Sequence, residues 1–424
     1  MRTFAALKPF FCLIITLPFF SGVSLHAQNR VLLENVTIID GTGREPQANK
    51  SILIAGDSIQ QILDHTTADN LSDVRRINLT GKYLLPGLFD MHVHLATDPT
   101  ANDRLDLTKK RLSKYLEHRV TGVRDMAGDT RQLAYLARQA ALDEIKSPDI
   151  YYSALMAGPS FFDDPRTVAS ARGHKPGTTA WMMAITEETD MAVAVAQAKG
   201  TGAQGIKIYA DLPADLCAKI IVAAKAQNLK VWAHASVFPA LPQDLAEAGI
   251  HSVSHAPLLA WQVADNTVTS KLRYERTVLD TARPAFRALI QTMAQKQVYL
   301  DPTIKIFAKR QTLFANALKA TYAAYQAGVP LVVGTDMSPD RDGLEYMPIT
   351  EEMIVLVNEV GIPPLEVIKA ATLNSARLLG IADQVGSITP GKKANLLILD
   401  ANPLEDIRHL DKVRGVIKNG KQVN

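Results

Sequence analysis

Apolar and polar positions alternate with a period of two in three runs near the N-terminus: VLLENVTIID, SILIAGDSIQQIL and RINLTGKYLL. Asp40-Gly41, Gly56-Asp57 and Gly81 punctuate them, so residues 30–85 read as short strands joined by tight turns. The far end of the chain has the same texture in SITPGKKANLLILD and VRGVIKNGKQV, where Asn419-Gly420 is a hairpin signal.

The middle is different. Strand-like apolar runs (GLFDMHVHL, VTGVRDMAG, DIYYSALMAG, GIKIYA, KVWAHA, SVSHA, VYLDPT and VPLVVGTD) are separated by stretches with helical spacing. Those stretches include LTKKRLSKYLEHRV, RQLAYLARQAALDEI, PADLCAKIIVAAKAQN and RPAFRALIQTMAQKQ, and PPLEVIKAATLNSARLLG is the helix expected after the eighth strand. Eight strand–helix units predict an α/β chain whose core is a (β/α)8 TIM barrel, over residues 86–384. The two β-rich ends, 28–85 and 385–424, predict one small β-sandwich domain formed jointly by the N- and C-terminal segments. A barrel of this kind carries its chemistry at the C-terminal ends of its strands.

Residues 1–27 stand outside that scheme. Arg2 and Lys8 precede the apolar PFFCLIITLPFF, and the small and polar SGVSLHAQ follows, the layout of a secretory signal peptide cleaved after Ser24 or Ala27. The alternative, an uncleaved anchor, is disfavoured because a spanning helix needs ~20 apolar residues. The expectation is therefore an exported protein, periplasmic or secreted, with no stable membrane anchor once the leader is removed. Beyond the leader only Cys217 remains, so an internal disulfide is impossible, and its helical context marks it as a core thiol rather than a catalyst. A formal charge of +3 without basic clusters argues against a nucleic-acid partner.

Chemistry enters with the polar residues at strand ends. His92 and His94 are two apart on the first barrel strand, so their imidazoles share a face while Val93 points the other way. Alone, such a pair is compatible with the wet face of an edge strand. Lys207 interrupts the apolar GIKIYA; His234 ends the fifth strand, His255 the sixth and Asp336 the eighth. His234 or His255 by itself would read as a hydrogen-bonded core or surface histidine, and Asp336 as a cap. Lys207 resists so bland a reading, because an unpaired ammonium is almost never buried. Six such residues on five strand ends of one barrel point to a metal centre.

That order, His-x-His, Lys, His, His, Asp, resembles the amidohydrolase superfamily, as do the paired terminal β-segments and the TLNSARLLG helix leading into GSITPGKKANLLILD. PGLFDMHVH, GIKIYA and VSHA are most similar to its imidazolonepropionase-like and Xaa-Pro-dipeptidase (prolidase)-like branches. The resemblance implies two divalent metal ions, usually zinc: one on His92, His94 and Asp336, the other on His234 and His255. It also implies that CO2 carboxylates Lys207 and that this carbamate bridges the ions, which would remove the buried ammonium. Asp336 would take a proton from the attacking hydroxide and return it to the leaving amine.

Substrate selection belongs to the loops after the strands. In the longest, Gly173-His174 matches a prolidase-like element, while Arg172 and Lys175-Pro176 depart from it. His174 reads either as a polariser of the substrate carbonyl or as a solvated loop histidine. Tyr209 shares the face of Lys207 and either reaches the substrate or fills the barrel layer, and Arg172 is a candidate to bind a substrate carboxylate, as Lys175, Lys305 and Arg341 could be. The leading expectation is a hydrolase acting on a small-molecule amide, a dipeptide or N-acyl amino acid. A cyclic amide, lactone or phosphotriester would suit the same ligands, and a non-catalytic binding protein on this scaffold is the reading from another class. A homo-oligomer is compatible with all three.

Overall fold

The structure, a computed structural model, describes residues 30–64, 71–97, 104–265, 277–337 and 348–423. The expected leader lies outside them. Five strands open the chain: β1 (Arg30–Ile38), β2 (Gln47–Ala55), β3 (Ser58–Asp64), β4 (Arg75–Asn78) and β5 (Tyr83–Pro86). Gly56 takes φ +62° in the two-residue link from β2 to β3, a conformation glycine adopts without a Cβ penalty.

The barrel strands are β6 (Leu88–Val93), β7 (Val120–Asp125) and β8 (Asp149–Ala157), then, past a short hairpin of β9 (Thr178–Thr179) and β10 (Met182–Ala184), β11 (Gly205–Ile208), β12 (Lys230–His234), β13 (Ser252–Ser254) and β14 (Tyr299–Asp301). All seven barrel strands run parallel in the order β6-β7-β8-β11-β12-β13-β14. The eighth run, 329–336, closes the ring with irregular pairing. Leu331 bridges Leu300 on one side; on the other, Met91 N–H donates to Val333 O and Asp336 N–H to His92 O, each at 2.8 Å. The expected eight-stranded barrel is thus present with one irregular strand.

Helices cover the outside: α1 (Leu105–Glu117), α2 (Thr130–Ala141), α3 (Pro165–Ala171), α4 (Met191–Gly200), α5 (Ala214–Ala226), α6 (Pro242–Glu247), α7 (Pro284–Gln295), α8 (Gln311–Gln326), α9 (Pro348–Asn358), α10 (Pro364–Lys369) and α11 (Ser375–Leu379). Their apolar stripes meet the outward faces of the strands, as Ile220, Ile221 and Ala224 of α5 do in the main core. Two features depart from the sequence reading. Helix α9 intervenes between the eighth strand and the helix expected to follow it, its Ile349, Met353 and Leu356 forming a buried stripe. The helix expected over 363–380 is interrupted at 370–374 by a π-turn, where Ser375 Oγ donates to Ala370 O at 2.8 Å.

Three C-terminal strands, β15 (Leu396–Leu399), β16 (Val413–Lys418) and β17 (Lys421–Gln422), join the first five in one sheet ordered β17-β16-β15-β5-β1-β2-β3, with β4 on β1. Leu33, Ile52 and Ile54 from the N-terminal half share a core with Leu396, Ile398 and Ile417 from the C-terminal half. The tips follow turn chemistry: Asn419 and Gly420 both take positive φ between β16 and β17, as a two-residue type I′ turn requires. Ion pairs tie these strands to the barrel, with Lys418 Nζ 2.9 Å from Asp149 and Arg119 Nη2 2.7 Å from Asp411. Among the described residues, no helix is long and apolar enough to cross a membrane. Cys217 is buried on α5, and burial pushes its thiol up to about 12, so it remains an inert core group.

Candidate metal centre

Strand β6 delivers His92 and, just past its end, His94; their ring centroids are 5.4 Å apart. Asp90, two residues earlier, locks this strand to the eighth. It accepts the N–H groups of His92 (3.1 Å) and Thr335 (3.0 Å) and the Thr335 hydroxyl (2.7 Å). The eighth run then turns sharply: Asp336 takes φ +54°, a left-handed conformation that aspartate tolerates better than most residues. The turn aims its carboxylate back at the first strand, with Oδ1 3.3 Å from His94 Nε2 and 3.8 Å from His92 Nε2.

The remaining residues arrive from β11, β12 and the end of β13. His255 also takes a positive φ (+70°), its N–H donating to Asp301 O at 2.9 Å and its Nδ1 lying 2.8 Å from Thr303 Oγ1. Its ring is 4.8 Å from that of His92 and 4.9 Å from that of His234. His92, His255 and Asp336 each offer one ligand atom, all within 4.8 Å of one another. Lys207 is fully buried, close enough for its charge to act on His92 and His234. All six residues singled out in the sequence therefore converge.

The donor set fits a divalent cation. Among the described residues, neither His92 Nε2 nor Lys207 Nζ has a hydrogen-bond partner, although both atoms are buried. Burial, with smaller contributions from neighbouring cations, pushes His92, His234 and His255 below the ordinary histidine value, His255 to about 3. Their lone pairs are free to ligate at neutral pH. Burial raises the Asp336 carboxyl, but His92 and His94 outweigh it and hold the group well below the carboxylate range. Lys207 is pushed down to about 7, first by burial and then by the charge of Arg124, so a free amine is accessible near neutrality.

A supporting layer escaped the sequence reading. Asp301, at the end of β14, accepts from His92 Nδ1 at 2.8 Å and from Ser254 Oγ at 3.1 Å. This places the His92 proton on Nδ1 and leaves Nε2 with an unprotonated lone pair on the side of Asp336. Arg124 of β7, wholly buried, reaches Asp301 Oδ2 at 3.4 Å, donates to Met91 O (2.7 Å) and Ser252 Oγ (3.0 Å), and lies 4.7 Å from the Trp232 ring centre. Both had legible signals. Asp301 in VYLDPT ends a strand just as Asp336 does, and Arg124 in GVRDMAG poses the same buried-charge problem as Lys207. Asp125 accepts the N–H groups of Leu95 (2.6 Å) and Ala127 (3.1 Å), bracing the backbone beyond His94, whereas His251 serves the N-terminal end of β12 by accepting Val231 N–H at 3.1 Å.

The mouth beside this centre is lined by His94, Thr97, Leu155, Phe161, Arg166 and Tyr209, among others. Tyr209 lies between Phe161 and His234, at 4.7 and 4.3 Å between ring centroids, so it faces the site. His174 is exposed in the turn after α3, and Arg172 caps that helix at φ +49°. Neither is among the residues lining the mouth; among the described residues the arginine that lines it is Arg166. Lys305 pairs with Glu351 at 2.7 Å, and Arg341 lies outside the described residues.

Comparison with known proteins places the chain in a family. Residues 83–423 match the family model described as Amidohydrolase family. Over 119 residues the chain is 37% identical to ochratoxinase of Aspergillus niger, a stretch covering 27% of this chain and 24% of that protein. It is 24% identical over 415 residues to the imidazolonepropionase of Geobacillus thermodenitrificans, covering 85% of each. The crystal structure of a Xaa-Pro dipeptidase with bound methionine in the active site shares the fold with a TM-score of 0.74 and 23% identity, over 93% of this chain and 99% of that one.

Proposed function

Since the chain belongs to the amidohydrolase family, we propose that it is a binuclear metal-dependent hydrolase that cleaves the amide bond of a dipeptide, Xaa-Pro peptides included, or of an N-acyl amino acid. The observation that carries this reading is the pair of buried nitrogens, His92 Nε2 and Lys207 Nζ, that lack a hydrogen-bond partner among the described residues and lie among the neutral imidazoles of His92, His234 and His255 and the Asp336 carboxylate. His92, His94 and Asp336 would hold one divalent ion and His234 and His255 a second, with zinc the expected metal. Lys207, carboxylated on Nζ, would supply an anionic oxygen to both. Bound there, such ions would acidify water to a pKa of about 7, far below its value in bulk, and polarise a carbonyl.

The chain's own residues do the rest. Asp336 accepts the proton of the attacking water and passes it to the amide nitrogen as the C–N bond breaks, yielding a carboxylic acid and an amine. Asp301 keeps His92 in one tautomer throughout, and His92, with a smaller contribution from Arg124, keeps Asp301 ionised. Tyr209 faces the substrate from the β11 side, and His174 stays in its exposed turn. Export to the periplasm or medium is part of the same proposal and rests on the leader-like residues 1–27.

Extended likeness to an imidazolonepropionase favours a second reading, ring opening of a cyclic amide by the same groups. Amine release from a panel of dipeptides, N-acyl amino acids and cyclic amides, with zinc-loaded protein prepared in bicarbonate, separates the two. Lys207→Ala should abolish release and also remove a 13C carbamate resonance from protein equilibrated with labelled bicarbonate. An Asp336→Asn protein with full metal occupancy and near wild-type turnover would refute the assigned proton transfer.

A further inference from the structure

We propose that Arg166 is the anion anchor of this site, binding a free carboxylate on the substrate while Phe161, Leu155 and Tyr209 accept the apolar side chain beside it. The proposal rests on the amide-hydrolase reading above: it assigns the residue that holds the free carboxylate common to dipeptides and N-acyl amino acids, and it narrows the neighbouring side chain to an aromatic or branched apolar group. Arg166 stands in the first turn of α3 and lines the mouth together with His94 and Tyr209. Both Asp336 and Tyr209 are near enough to raise its guanidinium above the ordinary value, after the larger contribution of Asp164.

The guanidinium is already held in place. Asp164 accepts Arg166 N–H at 2.8 Å, Nε at 3.1 Å from both carboxylate oxygens, and Nη2 at 2.6 Å. That pairing occupies the Nε–Nη2 edge and leaves Nη1, with the second proton of Nη2, as a complete end-on fork. Such a fork matches a carboxylate bidentately, and the entropy of ordering the side chain has been met by Asp164 before substrate arrives. The same Asp-x-Arg arrangement occurs at Asp129–Arg131 and Asp406–Arg408. It is therefore a local way of starting a helical segment, and among the described residues only the Asp164–Arg166 copy lines this cleft.

Magnitude follows from exposure. Hydrogen bonds to a charged group span a range equivalent to roughly 10- to 100-fold in binding. The Arg166 side chain is 61% exposed and already shares its charge with Asp164, so the lower end, about 10-fold, applies.

Two measurements test this. In the first, metal-loaded protein hydrolyses N-benzoyl-phenylalanine and its C-terminal carboxamide. Arg166→Met should raise KM for the carboxylate by about 10-fold with kcat nearly kept, a loss several-fold larger than on the carboxamide, and Arg166→Lys should recover part of it. In the second, N-benzyl-phenylalanine, which lacks the scissile carbonyl, and its carboxamide are titrated calorimetrically, so recognition is read without turnover. Carboxylate-selective binding that Arg166→Met abolishes supports the anchor even if no amide is cleaved, and that combination would overturn the hydrolase reading instead. Equal binding of carboxylate and carboxamide by the wild type, or equal losses on both in Arg166→Met, overturns the anchor.

Discussion

Replacing Asp301 by asparagine tests the supporting layer directly. Asp301 Oδ2 faces Arg124 Nη2 at 3.4 Å, and both side chains are completely buried. At an effective dielectric of about 20, two unit charges at that distance attract by about 5 kcal/mol. The amide retains shape but not charge. Arg124 keeps its bonds to Met91 O and Ser252 Oγ and its place against Trp232, so part of the loss is recovered and Asp301→Asn should cost about 3–5 kcal/mol. Arg124→Met should cost a comparable amount by stranding Asp301. Once one charge is gone the other becomes a liability, so the double variant should be less destabilised than the sum by about 2 kcal/mol or more. Urea unfolding of the metal-stripped proteins, followed by tryptophan fluorescence, reads all four corners of this cycle. Metal titration supplies an independent arm: Asp301→Asn frees the His92 tautomer and should weaken zinc binding by about 10- to 100-fold. Arg124→Met leaves the 2.8 Å His92–Asp301 bond in place and should weaken it less. Additive stabilities within about 0.5 kcal/mol, or unchanged zinc affinity in Asp301→Asn, would refute the reasoning.

Three further outcomes are expected. Gly334→Ala would set a Cβ 2.3 Å from Asp301 Oδ1 and 2.7 Å from His92 Cβ, so overpacking should cost about 1–3 kcal/mol in thermal unfolding and weaken zinc binding with it. His251 is held at about 4 by burial and by the charges of Lys230 and Lys225, below its ordinary 6.5. A depressed histidine contributes stability that is complete above pH 6.5 and is lost as pH falls toward 4. Melting curves across that window should therefore fall less steeply for His251→Asn, by up to about 3 kcal/mol. Chelation should lower the melting temperature, and zinc with bicarbonate together should restore it better than zinc alone; equal recovery by zinc alone would count against the Lys207 carbamate.

Much of the fold lay open in the chain because local periodicity and burial coincide here. Parallel barrel strands are covered on both faces and read as apolar runs, the helices between them carry one buried stripe, and Asn419-Gly420 satisfies a turn that few other pairs can. The π-turn at 370–374 and the irregular eighth strand were not legible, since both depend on bonds to distant partners: Gly41 and Leu331 around the first, Met91, His92 and Leu300 around the second.

The candidate site divides along the same line. A polar residue at the end of an apolar strand betrays itself in one dimension, which is why His92, His94, Lys207, His234, His255 and Asp336 stood out from the sequence alone. Which residues satisfy their second atoms cannot be read that way. Asp301 meets His92 across 209 positions, and Arg124 meets Asp301 across 177. The sequence singled out Arg172 and passed over Arg166, yet the folded chain placed Arg166 at the mouth and Arg172 at the far end of the same helix. Sequence by itself determined what must be buried and what kind of group had to meet it. Tertiary structure alone decided which partner did, because hydrogen bonds and ion pairs act over a few ångströms that only chain closure brings about.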